Sequence, residues 1–357
     1  MNLRLVQSTE KAEWNRALIR LPNPHLLQTW EWGAFKSRRQ WHATRYLWVD
    51  SGTNSPRAAA AVLTRRLGPL PVRIMYVPKG PVLDYANRRV LETVLGHLET
   101  MARRARAPFI KIDPDVGRHG DVGRDVVDTV RKRGWRRSEE EIQFRNTILI
   151  DLTSSLEELL MGMKPKWRYN VRLAKRRGVT VRSGTLQDLP LLYDMYQDTA
   201  MRGGFVIRPW DYYRDVWSSF TQAGLAQPLI AEVEDRPAAM VVIYRFARRA
   251  YYLHGASYSE HLDDMPNNLL QWEAMKWAKE RGCTVYDMWG APDELEESDP
   301  MWGVYRFKIG FGGEFVERLG AWDYPSHRVL YWLYSVAIPR ALAGMRWLHW
   351  RRVGNGG

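Results

Sequence analysis

Four short segments of the sequence carry side chains suited to anions or to a reacting carbonyl. The longest is KPKWRYNVRLAKRR, Lys164–Arg177, with seven basic residues and no acid. Pro165 is tolerated in a first helical turn and Gly178 just past a last one, so a helix is predicted between them. On it Arg168, Arg172, Lys175 and Arg176 fall at i, i+4, i+7 and i+8, and Trp167, Val171 and Ala174 form a narrow apolar stripe. Lys166 adds a charge in the first turn. A solvated surface helix would mix Glu with its Lys and Arg, because like charges at this spacing repel. The pattern therefore points to a phosphate-bearing partner, either a nucleic acid or a smaller ligand.

In LLQTWEWGAFKSRRQW, residues 26–41, a helix from Trp30 sets Trp32 and Lys36 at i, i+4. This is an aromatic wall beside an ammonium, which binds phosphate as a point charge. In MRGGFVIRPWDYYRDVW, residues 201–217, Arg208, Tyr212 and Tyr213 offer a guanidinium and phenols for a diphosphate and a sugar. The same text also reads as a helix opening with Pro209 at its first position. In GVYRFKIGFGGE, residues 303–314, Val304, Arg306 and Lys308 alternate with Tyr305, Phe307 and Ile309. That alternation predicts a strand followed by a flexible glycine turn. A lysine beside glycines can approach a carbonyl closely and stabilise its oxyanion.

The elements that position these residues are bounded by bulk properties. A chain of 357 residues with 45% hydrophobic content suits two domains of ordinary size. Seventeen tryptophans and seventeen tyrosines exceed what two cores need, and such rings often line sites for sugars or bases. The formal charge of +13 favours polyanionic partners and says nothing of fold. A single cysteine, Cys283, excludes an internal disulfide framework and a cysteine-rich metal site, and its apolar context predicts a buried core residue. The eight histidines lack paired spacing, so no metal is expected. The N-terminus has no basic segment leading into an apolar run, and no run reaches ~18 apolar residues. A cytoplasmic protein is expected.

The sequence also echoes itself. AAAVLTRRLGPLPVRIMYVPKGPVLD from Ala59 and AAMVVIYRFARRAYYLHGASYSEHLDD from Ala238 share one rhythm of strand, basic turn, strand and loop. Each leads into an amphipathic helix, marked by Leu91, Val94, Leu95 and Leu98 in one and by Leu270, Trp272, Met275, Trp277 and Ala278 in the other. A strand closing on aspartate follows, at Asp113 and Asp115 or at Asp287. Two copies of one mixed α/β domain are predicted, rather than a solenoid of shorter repeats. The boundary is expected near Asp151, where IDLTSSLEELL starts a new element with a capping hydroxyl and acids. This gives a first domain of 1–150, completed by a late strand and tail from 318–357, and a second of 151–317.

Taken in order, QTWEWGAFK, KPKWRYNVRLAKRRGVTV, RPWDYY, YYLHGAS and GVYRFKIGFGGEFVERLGAWDYP resemble the FemABX family of bacterial non-ribosomal peptidyltransferases. The resemblance runs from Gln28 to Pro325. It implies two tandem domains of the N-acetyltransferase-like (GNAT) fold. It also implies transfer of an amino acid from aminoacyl-tRNA to the stem-peptide amine of UDP-MurNAc-pentapeptide or lipid II. Such a reaction needs neither a metal nor a further cofactor, because the tRNA ester is already activated. By matched position, Lys36, Arg208 and Tyr212 are implied to hold the precursor's diphosphate and its neighbours, with Trp32 beside Lys36. Lys308 would stabilise the oxyanion next to Phe307, and Asp113 takes the place of an acid near the acceptor peptide, the tempting general base. His254 departs from the pattern, since a tyrosine is expected before Gly255. No long helical hairpin interrupts the second half, so the chain resembles the shorter form without a coiled-coil arm. That leaves the grip on tRNA to the basic surface.

A monomer that binds no DNA is expected. The C-terminal text HRVLYWLYSVAIPRALAGMRWLHWRR reads equally as a helix docked on the first domain or as an interfacial helix. In the second case residues 328–351 would touch the inner membrane face. Two other functions compete. An acyl-CoA-dependent N-acyltransferase would carry an R/Q-x-x-G-x-G/A loop, which is absent. A non-catalytic nucleic-acid-binding protein would leave RPWDYY and RFKIGFGG without purpose.

Overall fold

The structure, a computed structural model, describes residues 2–67 and 72–337. It divides into two units, Met1–Gln143 together with the chain from Leu319, and Phe144–Arg318. In chain order the first holds β1 (Leu3–Ser8), α1 (Lys11–Ile19), α2 (Trp30–Ser37), β2 (His42–Asp50), β3 (Pro56–Arg66), β4 (Arg73–Val77) and β5 (Val82–Leu83). It continues with α3 (Arg88–Arg104), β6 (Phe109–Ile112), α4 (Asp121–Lys132) and β7 (Arg136–Arg137). The second opens with β8 (Thr147–Asp151), α5 (Leu156–Gly162), α6 (Pro165–Arg176), β9 (Thr180–Ser183), α7 (Leu189–Gly203) and α8 (Trp210–Gln222). There follow β10 (Ala226–Val233), β11 (Arg236–Phe246), β12 (Arg249–Ser257), α9 (Pro266–Glu280), β13 (Val285–Asp287), α10 (Trp302–Ile309) and β14 (Glu314–Val316). The chain then returns to the first unit with β15 (Trp322–Pro325) and α11 (Arg328–Trp332).

Each unit is a mixed α/β domain built on one sheet. The first sheet runs β1-β2-β3-β4-β6-β15-β7, and the second, read from its own corresponding edge, runs β9-β10-β11-β12-β13-β8-β14. The orders match place for place. The parallel pairs, β4 with β6 and β12 with β13, also correspond. The echo in the sequence is thus an echo in the fold. Alanines 58–61 of β3 and Ala238 and Ala239 of β11 are fully or almost fully buried. In the first core Ala58 and Ala60 share a cluster with Leu91, Val94, Leu95 and Leu98 of α3. Leu270, Met275 and Ala278 of α9 do the same with Ala238 and Ala239. Small residues on the strand let a helix carrying large ones pack closely against it.

The sixth strand of each sheet shifts the expected boundary. β8, which ends on Asp151, pairs with β13 and β14 in the second sheet. The division therefore falls at Phe144 and not at Asp151. β15 fills the equivalent place in the first sheet, antiparallel to β6 with Trp322 opposite Ile112. Trp322 and Leu319 are buried in the first unit's core. Of the C-terminal tail, Tyr331 and Tyr334 pack their rings on Phe109, and the Tyr331 hydroxyl donates to Asp323 at 3.1 Å. The rest of 328–351, from residue 338, lies outside the described residues.

The predicted strand over residues 303–309 is a helix, α10. Over so short a run, periods of 2 and 3.6 are hard to tell apart. Asp299 decides locally, because its carboxylate accepts from Met301 N at 2.7 Å and its carbonyl from Trp302 N at 2.9 Å, which starts the helical turn. Val304 and Arg306 face outward and Lys308 inward. Nor is the following GFGG a free turn. A Cβ on Gly310 would stand 2.1 Å from the Trp167 ring, and one on Gly312, at φ +85°, would meet Gly162 O at 2.6 Å. These glycines let α5 and α6 approach the end of α10. Gly310→Ala is expected to destabilise the protein by about 1–3 kcal/mol through overpacking, read as a lower denaturant midpoint at unchanged slope. An unchanged midpoint would contradict this packing role.

Candidate active site

In the first unit, the motif around Lys36 is mostly framework. Thr29 caps α2 by accepting from Trp32 N at 3.2 Å. At Gly33 a Cβ would stand 2.6 Å from Arg45 Nη2 and displace it. That guanidinium lies 3.7 Å over the Trp30 ring and donates to Trp30 O at 3.0 Å, fastening α2 to β2. Burial pulls Arg45 down to about 10, with Glu31 opposing. Lys36, half-buried, folds its ammonium back over Trp32 at 5.4 Å, and Trp32 is itself almost wholly buried.

Gln28, fully buried, joins this helix to the acid predicted from the strand end. It donates to Pro78 O at 2.6 Å and accepts from Ala61 N at 2.7 Å. Beyond Pro78, Lys79 sits at φ +45° and is 5% exposed, with its ammonium 3.3 Å from Asp113, which is 1% exposed. The Tyr76 hydroxyl donates to the other Asp113 oxygen at 3.3 Å. Burial raises the Asp113 carboxyl and Lys79 draws it partly back. The sequence reading singled out Asp113 and missed its partner, whose only sign was a lysine between proline and glycine in VPKGP.

In the second unit, Lys308 projects inward from the last turn of α10 and is 6% exposed. Its ammonium donates to Gly290 O at 2.7 Å and Trp289 O at 3.3 Å, and lies 5.4 Å over the Tyr252 ring. Burial lowers it to about 7, against the opposing charge of Asp287. An ammonium has three donors, so two carbonyls leave one N–H for a reacting oxygen. The carbonyl cap depends on a special turn. Trp289 adopts φ +56°, an outlier for so bulky a residue. Asp287 holds it there, accepting from Trp289 N at 2.9 Å and from the Thr147 hydroxyl. Thr147 comes from β8 and Asp287 from β13, so the sixth strand of the sheet helps build the site. Phe307 is half-buried and packs edge-on to Phe311.

The other predicted residues of this unit gather around an aromatic cluster. The phenol of Tyr193 donates to Arg208 O at 3.2 Å and that of Tyr213 accepts from Arg208 N at 3.4 Å. The Arg208 backbone is thereby fixed and its side chain left exposed. Tyr212 lies edge-on to Tyr213, 5.5 Å between centroids. RPWDYY does open a helix, but with Pro209 at the cap and Trp210 first. His254 is ringed by Tyr196, Tyr213, Trp217 and Tyr244 at 5.5–6.0 Å. Trp217 Nε1 donates to its Nδ1 at 3.2 Å. An indole N–H only donates, which assigns the imidazole proton to Nε2. Burial agrees, lowering the ring to about 4. A β-bulge at Leu253, between the register pairs Val242–His254 and Ile243–Tyr252, re-aims the strand between the lysine site and this cluster.

Helix α6 spans the predicted range, with Gly178 beyond its end at φ +79°. Its five basic residues have different fates. Arg168 donates to Met161 O and Met163 O and so closes the end of α5, which removes it from the phosphate-contacting set. Lys175 stands 3.7 Å from Glu273. Lys166, Arg172 and Arg176 remain exposed. Cys283 is buried in the core. Among the described residues, no group of acids, histidines or cysteines is arranged to hold a metal, and no helix is long and apolar enough to cross a membrane.

Two matched sheets, each with a parallel strand pair and a helix between those strands, define a tandem GNAT-like N-acyltransferase fold. The model of the FemAB family matches residues 9–234 and 223–338, and the chain belongs to that family. A lipid II:glycine glycyltransferase of Staphylococcus epidermidis is 25% identical over 387 residues, covering 89% of this chain and 92% of its own. The crystal structure of FemX superposes with a TM-score of 0.85 at 23% identity, covering 92% of this chain and 99% of that one. A tandem GNAT protein from the clavulanic acid biosynthesis pathway superposes with a TM-score of 0.54 at 12% identity, covering 91% and 99%.

The buried lysine has a measurable consequence. Below pH 7 Lys308 is charged in the folded and unfolded chain alike, and the burial of that charge opposes folding. Between about 7 and 10.5 the unfolded chain keeps a proton that the folded chain has released, so stability rises with pH. Lys308→Met lacks this dependence. Its stability relative to the parent is expected to fall by about 1.4 kcal/mol per pH unit across that window. A difference constant from pH 7 to 10, in denaturant melts, would contradict the assignment.

Proposed function

We propose that this protein is an aminoacyltransferase of peptidoglycan synthesis. It moves an amino acid from aminoacyl-tRNA to the stem-peptide amine of a lipid-linked precursor of the lipid II type. The carrying observation is Lys308, a buried ammonium with two carbonyls and one uncommitted donor. Membership of the FemAB family supports the reaction class, and the name of the staphylococcal relative supports lipid II over UDP-MurNAc-pentapeptide as acceptor.

The chemistry asks little covalent work of the protein. The acceptor amine, once held close and deprotonated, attacks the ester carbonyl of the charged tRNA. A carbon–nitrogen bond forms, and the carbonyl oxygen takes up negative charge beside the free N–H of Lys308. Collapse breaks the carbon–oxygen bond to the ribose, and the amine's proton leaves with that oxygen. No metal or cofactor is required. Arg208, Tyr212 and the Nε2–H of His254 supply donors for the precursor's diphosphate and sugar, and Lys36 beside Trp32 is a separate cation for precursor binding. Asp113 enters as an anchor rather than as the base, because its carboxylate already accepts from Lys79 and Tyr76. The exposed Val329, Trp332 and Leu333 suit rest on the bilayer that carries such an acceptor, on its cytoplasmic face.

The test offers the purified protein tRNA charged with a labelled amino-acid pool, with UDP-MurNAc-pentapeptide and lipid II in separate reactions. Label is expected in lipid II, and none in either acceptor with any amino acid overturns the reading. Lys308→Met should lower turnover by about 10²–10³-fold with precursor affinity nearly unchanged. Lys36→Met should mainly weaken precursor binding. The reverse pattern would exchange their roles.

A further inference from the structure

The outer face of α6 is unusual in what it leaves uncovered. Lys166, Tyr169, Arg172 and Arg176 follow one another at steps of three, three and four residues, so they share one side of the helix. The opposite side is buried through Asn170, Val171 and Ala174. Among the described residues the side chains of Lys166 and Arg172 have neither a hydrogen bond nor an ion pair. Arg176 has only the Tyr169 ring, 5.6 Å from its guanidinium. That tyrosine is 54% exposed. Three cations and a half-exposed aromatic ring therefore face solvent with no acid among them.

The spacing selects the ligand. From Lys166 to Arg176 the helix rises about 15 Å. A single diphosphate is gripped by cations that converge on it, whereas a row of this length suits a chain of phosphates. A ring set between the cations supplies the stacking surface that single-stranded nucleic acid uses. The other side of the same helix is tied to the element that carries the lysine. Lys164 N donates to Gly310 O at 2.9 Å, and the Trp167 indole donates to Phe307 O at 2.9 Å, beside Lys308. The start of α6 is thus fastened to the end of α10.

We propose that this face of α6 cradles the single-stranded 3′ end of the donor RNA, with phosphates on Lys166, Arg172 and Arg176 and a base on Tyr169. The inference rests on the reading that the aminoacyl donor is a charged tRNA, and it assigns that donor a contact on the helix fastened to α10. Without a coiled-coil arm, this short row carries the local grip.

The experiment measures binding of deacylated tRNA and of a short single-stranded RNA by fluorescence anisotropy across a salt series. Tyr169→Ala should weaken binding about tenfold. Arg172→Ala with Arg176→Ala should reduce the slope of log affinity against log salt by about 1.4, at ~0.7 per lost single-strand contact. Arg236→Ala, which removes an exposed charge from the start of β11, should change neither. No RNA binding by the parent, or an equal loss in Arg236→Ala, would overturn the proposal. So would variants that lose affinity for phosphatidylglycerol vesicles while RNA binding stays intact, since the face would then be a membrane contact. Transfer assays separate this failure from that of the functional reading. Normal transfer from charged tRNA in the α6 variants sinks the cradle alone, whereas transfer from an acyl-CoA and never from tRNA sinks the donor assignment.

Discussion

The second unit is organised around one costly constraint, a lysine ammonium held away from water. An unpaired charge in a protein interior costs several kcal/mol even after relaxation. Among the described residues Lys308 has no ion pair; its ammonium donates to two backbone carbonyls. Those carbonyls are aimed by a tryptophan in the left-handed region, which an aspartate and a threonine from two neighbouring strands hold in place. Behind the lysine, Gly310 admits the Trp167 ring and Gly312 the backbone of α5. Strand order, helix packing and glycine placement all meet at one amine.

The first unit answers the same question differently at the corresponding place. Its strand β6 is followed directly by a buried aspartate, Asp113, and a buried lysine also stands beside it. That lysine is paired directly with the carboxylate, and Gln28 ties its loop to the helix bearing Lys36. A directly paired lysine stabilises its surroundings and has less to offer a reacting oxygen. A lysine capped by carbonyls keeps its charge loosely and retains a donor. Two copies of one fold thus hold a buried lysine against a carboxylate in one case and against two backbone carbonyls in the other.

Much of this was legible in the sequence wherever side chains repeat with a helical period. The helices carrying Leu91 and Leu270, the basic helix from Pro165 and the duplicated order of elements all follow from spacing. The strand exchange was half legible. The late strand near Trp322 could be read as returning to the first domain, but β8 could not be assigned to the second, because pairing partners far along the chain leave no local sign. The helix carrying Lys308 was misread because its six alternating residues fit either period. The carbonyl cap was invisible for a different reason, since it is made of backbone whose direction is set by one φ angle at Trp289. Lys79 and Arg168 show the same limit: a basic residue looks alike in sequence whether it meets a ligand, a buried acid or the end of a helix.

Desolvation brings the titration of Lys308 close to neutrality. This is tested most directly by following the ¹³Cε signal of that lysine through a pH titration, assigned by its loss in Lys308→Met. A midpoint at about 7 is expected. A midpoint near the ordinary lysine value of about 10.4 would contradict it.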